Sequence, residues 1–267
     1  MNESQSDTAA AEPRRPDPVV RRIAIHDVVE AFVAGLRDFQ AAPLFGLFFG
    51  GIYALGGLSI LMSLTRFGMP YLAYPLAAGF VLIGPFVAVG LYEVSRRREA
   101  GETLGWGQVL GVVFAQGQRE LGWMAFVTLF VMMMWLYQVR LLLALFLGFQ
   151  SFSSFTGFLT VLTSTPEGLM FLAVGNLVGA VLATILFSLT VISFPLLLDR
   201  EVDFITAMIT SVRAVSMNPV PMLGFAAMIA ALCLVAMLPA FLGLVVLLPV
   251  LGHATWHLYR RVVEPVA

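Results

Sequence analysis

The sequence predicts an all-α integral membrane protein. Three observations predict it: a composition too apolar for water, uncharged runs as long as a bilayer is thick, and arginines gathered on one side of those runs. Of 267 residues 60% are apolar and only 12% charged, and the mean hydropathy is +0.92, far from the balance of a soluble domain. A net charge of -1 excludes the clustered cations that polynucleotide binding needs, so no nucleic-acid partner is expected. All fifteen basic residues are arginine. The single cysteine, Cys233, lies in an apolar run, so it forms no intrachain disulfide and reads as a small buried hydrophobe. Residues 1–20 are rich in Ala, Pro, Ser and acidic residues without an apolar stretch; they predict a disordered tail rather than a signal peptide.

The rest, residues 21–263, reads as one transmembrane domain. A hydrocarbon core of about 30 Å takes about 20 helical residues, and spans are expected at 44–64, 71–92, 121–147, 169–198, 222–238 and 240–257. Arg66, Gly68 and Pro70 mark a turn between the first two. The third is interrupted only by Gln138 and Arg140. The fourth is longer than one crossing needs, so its ends should reach into the interface. The final apolar stretch overshoots a bilayer, and Pro239 near its middle predicts a turn between two short spans. With both termini inside, thirteen of the fifteen arginines fall on the cytoplasmic side, and the outer segment from Gln150 to Glu167 holds none. The positive-inside rule therefore sets a topology with cytoplasmic N- and C-termini.

Two segments before the spans have helical period. Val28, Val29, Phe32, Val33, Leu36 and Phe39 share a face opposite Asp27, Glu30, Arg37 and Asp38, and the Asp27 and Glu30 spacing suits a capping box at the helix start. Asp203 to Val215 repeats the pattern, and both predict short helices in the cytoplasmic interface. Arg37 precedes Pro43 by six residues, as Arg213 precedes Pro219; Pro85 lies twelve before Arg97, as Pro249 lies twelve before Arg261. A weaker middle unit runs from Leu104 to Glu120 and ends in Pro195. The spacing points to three repeats of an interfacial helix and a membrane hairpin, related by an axis along the membrane normal. The competing explanation is that Pro and Arg recur near any membrane helix end.

The runs Ser193-Phe194-Pro195-Leu196-Leu197-Leu198-Asp199-Arg200 and Gly84-Pro85-Phe86, and the ending from Pro249 through His253, Trp256 and His257 to Tyr259, resemble a family of bacterial inner-membrane proteins known only as a domain of unknown function. The resemblance extends from about Arg22 to Val263. It implies six spans and a proteobacterial inner-membrane setting, and it brings no activity. Some relatives carry the label of cytochrome c oxidase subunit I. That subunit needs a full set of haem- and copper-ligating histidines, whereas only His26, His253 and His257 exist here.

Candidate chemistry is sparse. His253 and His257 are four apart on a helix and so share a face, a geometry that a metal or haem iron could use. His26 falls at the same boundary. Against that stands an interfacial belt, or plain packing, of His253, Trp256, His257 and Tyr259. Arg140 lies inside the third span, where charge is expensive; Gln138, Asn176, backbone carbonyls or a lipid phosphate could serve it, or it snorkels outward. Gly46 with Gly50, and Gly175 with Gly179, have the spacing of closely packed helices. There is no phosphate loop, nucleophile elbow or zinc-protease motif, so neither an enzyme nor a cofactor is expected. The expected function is a membrane scaffold or assembly factor, whose partners are the bilayer and an anionic lipid or membrane protein at the cytoplasmic face. A small-solute transporter and a metal or haem protein are the alternatives.

Overall fold

The structure, a computed structural model, describes residues 17–65, 73–117, 120–148, 155–239 and 241–265, with the backbone alone at 64–65, 73–85, 117 and 155–156. The expected turn at Arg66, Gly68 and Pro70 and most of the expected tail lie outside the described residues. Three units follow one another. The first is α1 (Ile25–Ala41), α2 (Pro43–Thr65) and α3 (Ala73–Glu99). The second is α4 (Trp106–Gly117), α5 (Glu120–Leu147), α6 (Phe155–Ser164), α7 (Pro166–Thr190) and α8 (Ser193–Asp199). The third is α9 (Phe204–Met217), α10 (Pro219–Met237) and α11 (Leu244–Val262). Among the described residues four stretches, Pro43–Ser63, Glu120–Leu147, Pro166–Asp199 and Pro219–Met237, are long and apolar enough to cross a bilayer. The two other expected spans coincide with α3 and α11, each of which continues into a charged last stretch, Arg96 to Arg98 and Arg260 with Arg261.

The first two helices of the first unit, α1 and α2, are related residue by residue to α9 and α10 of the third at a constant offset of 176. Ala31 and Ala207 are both sealed from solvent, Phe49 and Phe225 are both buried, and Leu47 and Leu223 are 42% and 41% exposed. The joints match as well. Ala42 at φ -133° and ψ 54° and Asn218 at φ -129° and ψ 53° each turn the chain from interfacial helix into span. Pro43 and Pro219 then open the spans, where a missing N–H costs nothing and φ is already helical.

Contacts close the three units into a ring. Each interfacial helix packs on the last helix of the preceding unit: α4 on α3, α9 on α7 and α8, and α1 on α11, where the last unit meets the first. The first spans follow the same rule, with α5 against α3, α10 against α7 and α2 against α11. At the centre α3, α8 and α11 touch one another. The buried core gathers there, at residues such as Leu91, Ile192, Leu196, Trp256 and Tyr259, so the molecule is most tightly packed at its arginine-rich end. Glycines set the closest approaches: a Cβ on Gly35 would lie 2.7 Å from the Val250 carbonyl oxygen, and one on Gly90 2.1 Å from the Phe49 ring.

The wheel of α1 has three edges. Val28, Ala31, Gly35 and Asp38 are buried; Ile25, Val29, Val33 and Leu36 are exposed and apolar; His26, Glu30 and Arg37 are exposed and polar. This division suits a helix in an interface, with one edge on protein, one in acyl chains and one in water. On α9, Ile205, Ile209 and Val212 form the same exposed apolar edge.

Several expectations need correction. Asp27 does not begin α1. The helix starts at Ile25, and Asp27 stands in its first turn accepting a 2.8 Å hydrogen bond from the Ala24 N–H, which holds its carboxyl below the usual range. The spacing to Glu30 suggested a later start because Ile25 and His26 carry no cap signature. Asp203, in contrast, is the true cap of α9, accepting from the Thr206 N–H at 2.9 Å. The fourth apolar run is not one helix. It breaks after Thr190, and α8 is a separate, wholly internal piece in which Ser193 to Leu198 are buried. Pro195 explains the break, since it lacks an N–H and its ring crowds the carbonyl four residues back. The outer segment expected as a loop contains α6, which Gly168 of α7 meets so closely that a Cβ there would lie 2.2 Å from the Val161 oxygen. Finally, the tail expected to end at Val20 is ordered before that: Val20 is buried and forms an antiparallel bridge with Val263.

Candidate functional site

The polar groups of the chain converge where the last turns of α3 and α11 meet α1 and α8. α11 presents His253, Trp256, His257, Arg260 and Arg261 along these turns, and α3 answers with Glu93, Ser95, Arg98 and Glu99. Glu93 has no exposure, and it accepts from Arg96 Nε at 2.7 Å and Arg97 Nε at 2.6 Å. Arg98 Nε donates to Asp38 Oδ1 at 2.9 Å, while His257 Nε2 lies 2.8 Å from Asp38 Oδ2. One α1 carboxylate therefore joins α3 and α11. Burial alone would raise its pKa, but hydrogen bonds with His257, Ser95 and Arg98 outweigh that and bring it down to about 2. Glu99 accepts from Trp256 Nε1 and from Arg260 Nε, both at 3.0 Å. Asp199 of α8 accepts from Tyr259 at 2.6 Å, and Arg261 bridges Asp27 and Glu30 of α1.

The three histidines do not converge. His253 is fully buried with Nδ1 2.8 Å from Ser95 Oγ and its Nε2 without a partner. His257 spends its Nε2 on Asp38, and the His26 side chain is 72% exposed beside Asp27. Among the described residues no group of three His, Cys, Asp or Glu side chains could hold a metal. The helical spacing did place both α11 imidazoles toward the same junction, as the sequence implied. The partners Ser95 and Asp38 carried no sequence signal, because they arrive from helices far away in the chain. Of the two bland readings the belt is overturned: His253, Trp256 and Tyr259 pack inside protein rather than at a headgroup surface.

The other candidates also stand apart. Asn176 donates to the Leu172 carbonyl of its own helix and lines a cavity of about 790 Å³ between α5 and α7 with Thr128, Trp135, Phe171, Gly175 and Gly179. Gly179 touches the Trp135 ring, whereas a Cβ on Gly175 would meet nothing within 4 Å. Close packing thus accounts for Gly46, Gly50 and Gly179 but not for Gly175. Gln138 Oε1 is buried without a partner. Arg140 is exposed and lines a separate hollow with Met133, Leu136 and Tyr137. It lies twenty residues along α5 from Glu120, about 30 Å at helical rise, so it sits near the far boundary of the hydrocarbon, within snorkelling reach.

A ring of apolar helices around a charge cluster satisfied by its own helices defines an all-α integral membrane protein. Residues 73–199 match the model of a family described as "Predicted integral membrane protein (DUF2189)", so this stretch of the chain is similar to a membrane domain of unknown function, as the motifs suggested. The match contains Gly84-Pro85-Phe86 and the run from Ser193 to Asp199, and it extends from α3 to the end of α8. No curated protein and no solved structure matches the chain.

Proposed function

We propose that this protein is a non-enzymatic scaffold or assembly factor of the bacterial inner membrane, crossing it six times with its arginine-rich end and both termini in the cytoplasm. The observation that carries this reading is the commitment of the charges at the helix junction to partners within the protein. Asp38, Glu99 and Asp199 are each engaged by arginine, histidine, tyrosine or tryptophan of a neighbouring helix, and buried Glu93 by two arginines of its own helix. A substrate-handling site keeps polar groups available for its ligand, whereas here they lock helices together. The cavity between α5 and α7 is lined almost wholly by apolar side chains, which supports a surface that meets lipid or another membrane protein. The cytoplasmic assignment rests on the arginine bias, and the six crossings rest on α3 and α11 joining the four long apolar helices.

Liposome flux tests the reading. The purified full chain, reconstituted into vesicles, is expected to pass ions and small neutral solutes no faster than protein-free vesicles. Flux above that background that is lost in Gln138→Ala, Arg140→Ala or Asn176→Ala would replace the scaffold with a transporter. A photo-crosslinking side chain at Leu177, 67% exposed on α7, is expected to capture a discrete membrane-protein partner in cells.

A further inference from the structure

We propose that Arg37 of α1 and Arg213 of α9 each hold the phosphate of an acidic phospholipid, giving the protein two equivalent lipid-headgroup sites at its arginine-rich end. The first support is a census of the cations. Arg96 and Arg97 are held by Glu93, Arg98 by Asp38, Arg260 by Glu99 and Asp199, and Arg261 by Asp27 and Glu30. Arg200 donates to the Glu264 carbonyl and Arg21 to those of Arg260 and Val263. Among the described residues at this end, Arg22, Arg37 and Arg213 remain without an ion pair or a hydrogen-bond acceptor. Two of these three occupy the same position in two units, five residues before the matching joints at Ala42 and Asn218.

Placement is the second support. Each guanidinium grows from the edge of its helix between an exposed apolar row and water. On α1 the row is Val29, Val33 and Leu36, and on α9 it is Ile205, Ile209 and Val212, with exposures from 37% to 57%. An apolar row of this kind is at rest only against acyl chains, which fixes the neighbouring arginine at headgroup depth. Its methylene stem can lie along the row while its planar fork meets phosphate oxygens in a bidentate pair. A free phosphate would use the same fork and none of the apolar row, so the pairing of the two favours a lipid. The site stands whether or not the scaffold reading holds.

The experiment titrates the detergent-purified full chain with phosphatidylglycerol, phosphatidylcholine and inorganic phosphate, read by native mass spectrometry. It compares the unaltered chain with Arg37→Gln, Arg213→Gln and the double variant. The anionic lipid is expected to bind in preference to phosphatidylcholine at two sites; each single variant is expected to weaken one of them about fivefold and leave the other unchanged, and the double variant to weaken both about fivefold, the effect of one surface arginine at each site. Both side chains are exposed and hold no other element, so the variants should melt with the parent, and each single variant carries its own readout. Anionic-lipid binding within twofold of the parent in the double variant would overturn the proposal. So would phosphatidylcholine binding equally well, or displacement of the lipid by millimolar inorganic phosphate.

Discussion

Asp38 is where three helices meet, and its environment makes a pH prediction. Its carboxyl is held at about 2, below the 3.8 expected of a free side chain, so the charged form is favoured in the folded protein. A depressed carboxyl stabilises fully above its unfolded pKa, and that contribution is lost as pH falls from about 4 through about 2. The difference corresponds to about 2 kcal/mol. Asp38→Asn should therefore lower stability at neutral pH, by about 3 kcal/mol because His257 and Arg98 lose a buried partner, and should flatten the acid limb of the stability curve. Thermal melts in detergent from pH 7 to pH 2 measure both effects. Equal melting of variant and parent at neutral pH would show that the junction does not depend on this carboxylate. In the sequence Asp38 read only as part of the polar face of an interfacial helix. Periodicity reports the face a residue occupies on its own helix; which distant side chain arrives there depends on the ring closing.

At the scale of elements, the joint between α9 and α10 does more than its counterpart. Asn218 is buried; its Oδ1 accepts from the Ile23 N–H at 2.8 Å, and its Nδ2 donates to the Arg21 carbonyl at 3.0 Å. It mimics a missing strand partner and pins the segment before α1 onto the third unit. Ala42 holds the same backbone shape without a side chain able to do this. Asn218→Ala leaves the Ile23 N–H without its acceptor and should cost about 2 kcal/mol, with faster hydrogen exchange at Ile23 as the local readout. Unchanged exchange there would remove this role from Asn218. The interfacial helices were legible because amphipathic period survives tertiary packing. The breaks were not: α8 is set off by Pro195 within an unbroken apolar run, and hydropathy cannot see an interruption between equally apolar residues. α6 escaped for the opposite reason, since ten residues rich in Ser, Thr and Phe give no span-length signal, and the Thr165 cap with Pro166 behind it was the only local mark that one helix ends and another begins.

For the whole molecule, the decisive feature is that the ring is closed by its first and last units. The proline and arginine spacings revealed the repeat, but a repeat alone is equally compatible with an open row of hairpins. Closure comes from α1 lying on α11 and α2 beside it, and from the chain ends pairing across the seam. Arg21 N–H donates to the Val262 carbonyl at 2.7 Å and Glu264 N–H to the Val19 carbonyl at 3.0 Å, which leaves Val20 and Val263 as a non-hydrogen-bonded antiparallel pair. Such pairs bring the two Cα atoms to about 4.5 Å, inside the range a disulfide can bridge. Val20→Cys with Val263→Cys, made with Cys233→Ser so that the native thiol cannot compete, is therefore expected to cross-link on mild oxidation in membranes. The bond would close almost the entire chain into a loop, and intact-mass analysis would record the loss of two hydrogens, reversed by reductant. A chain whose units form an open row would keep both thiols free under the same oxidation, and the seam between the first and third units would then have no place in the fold.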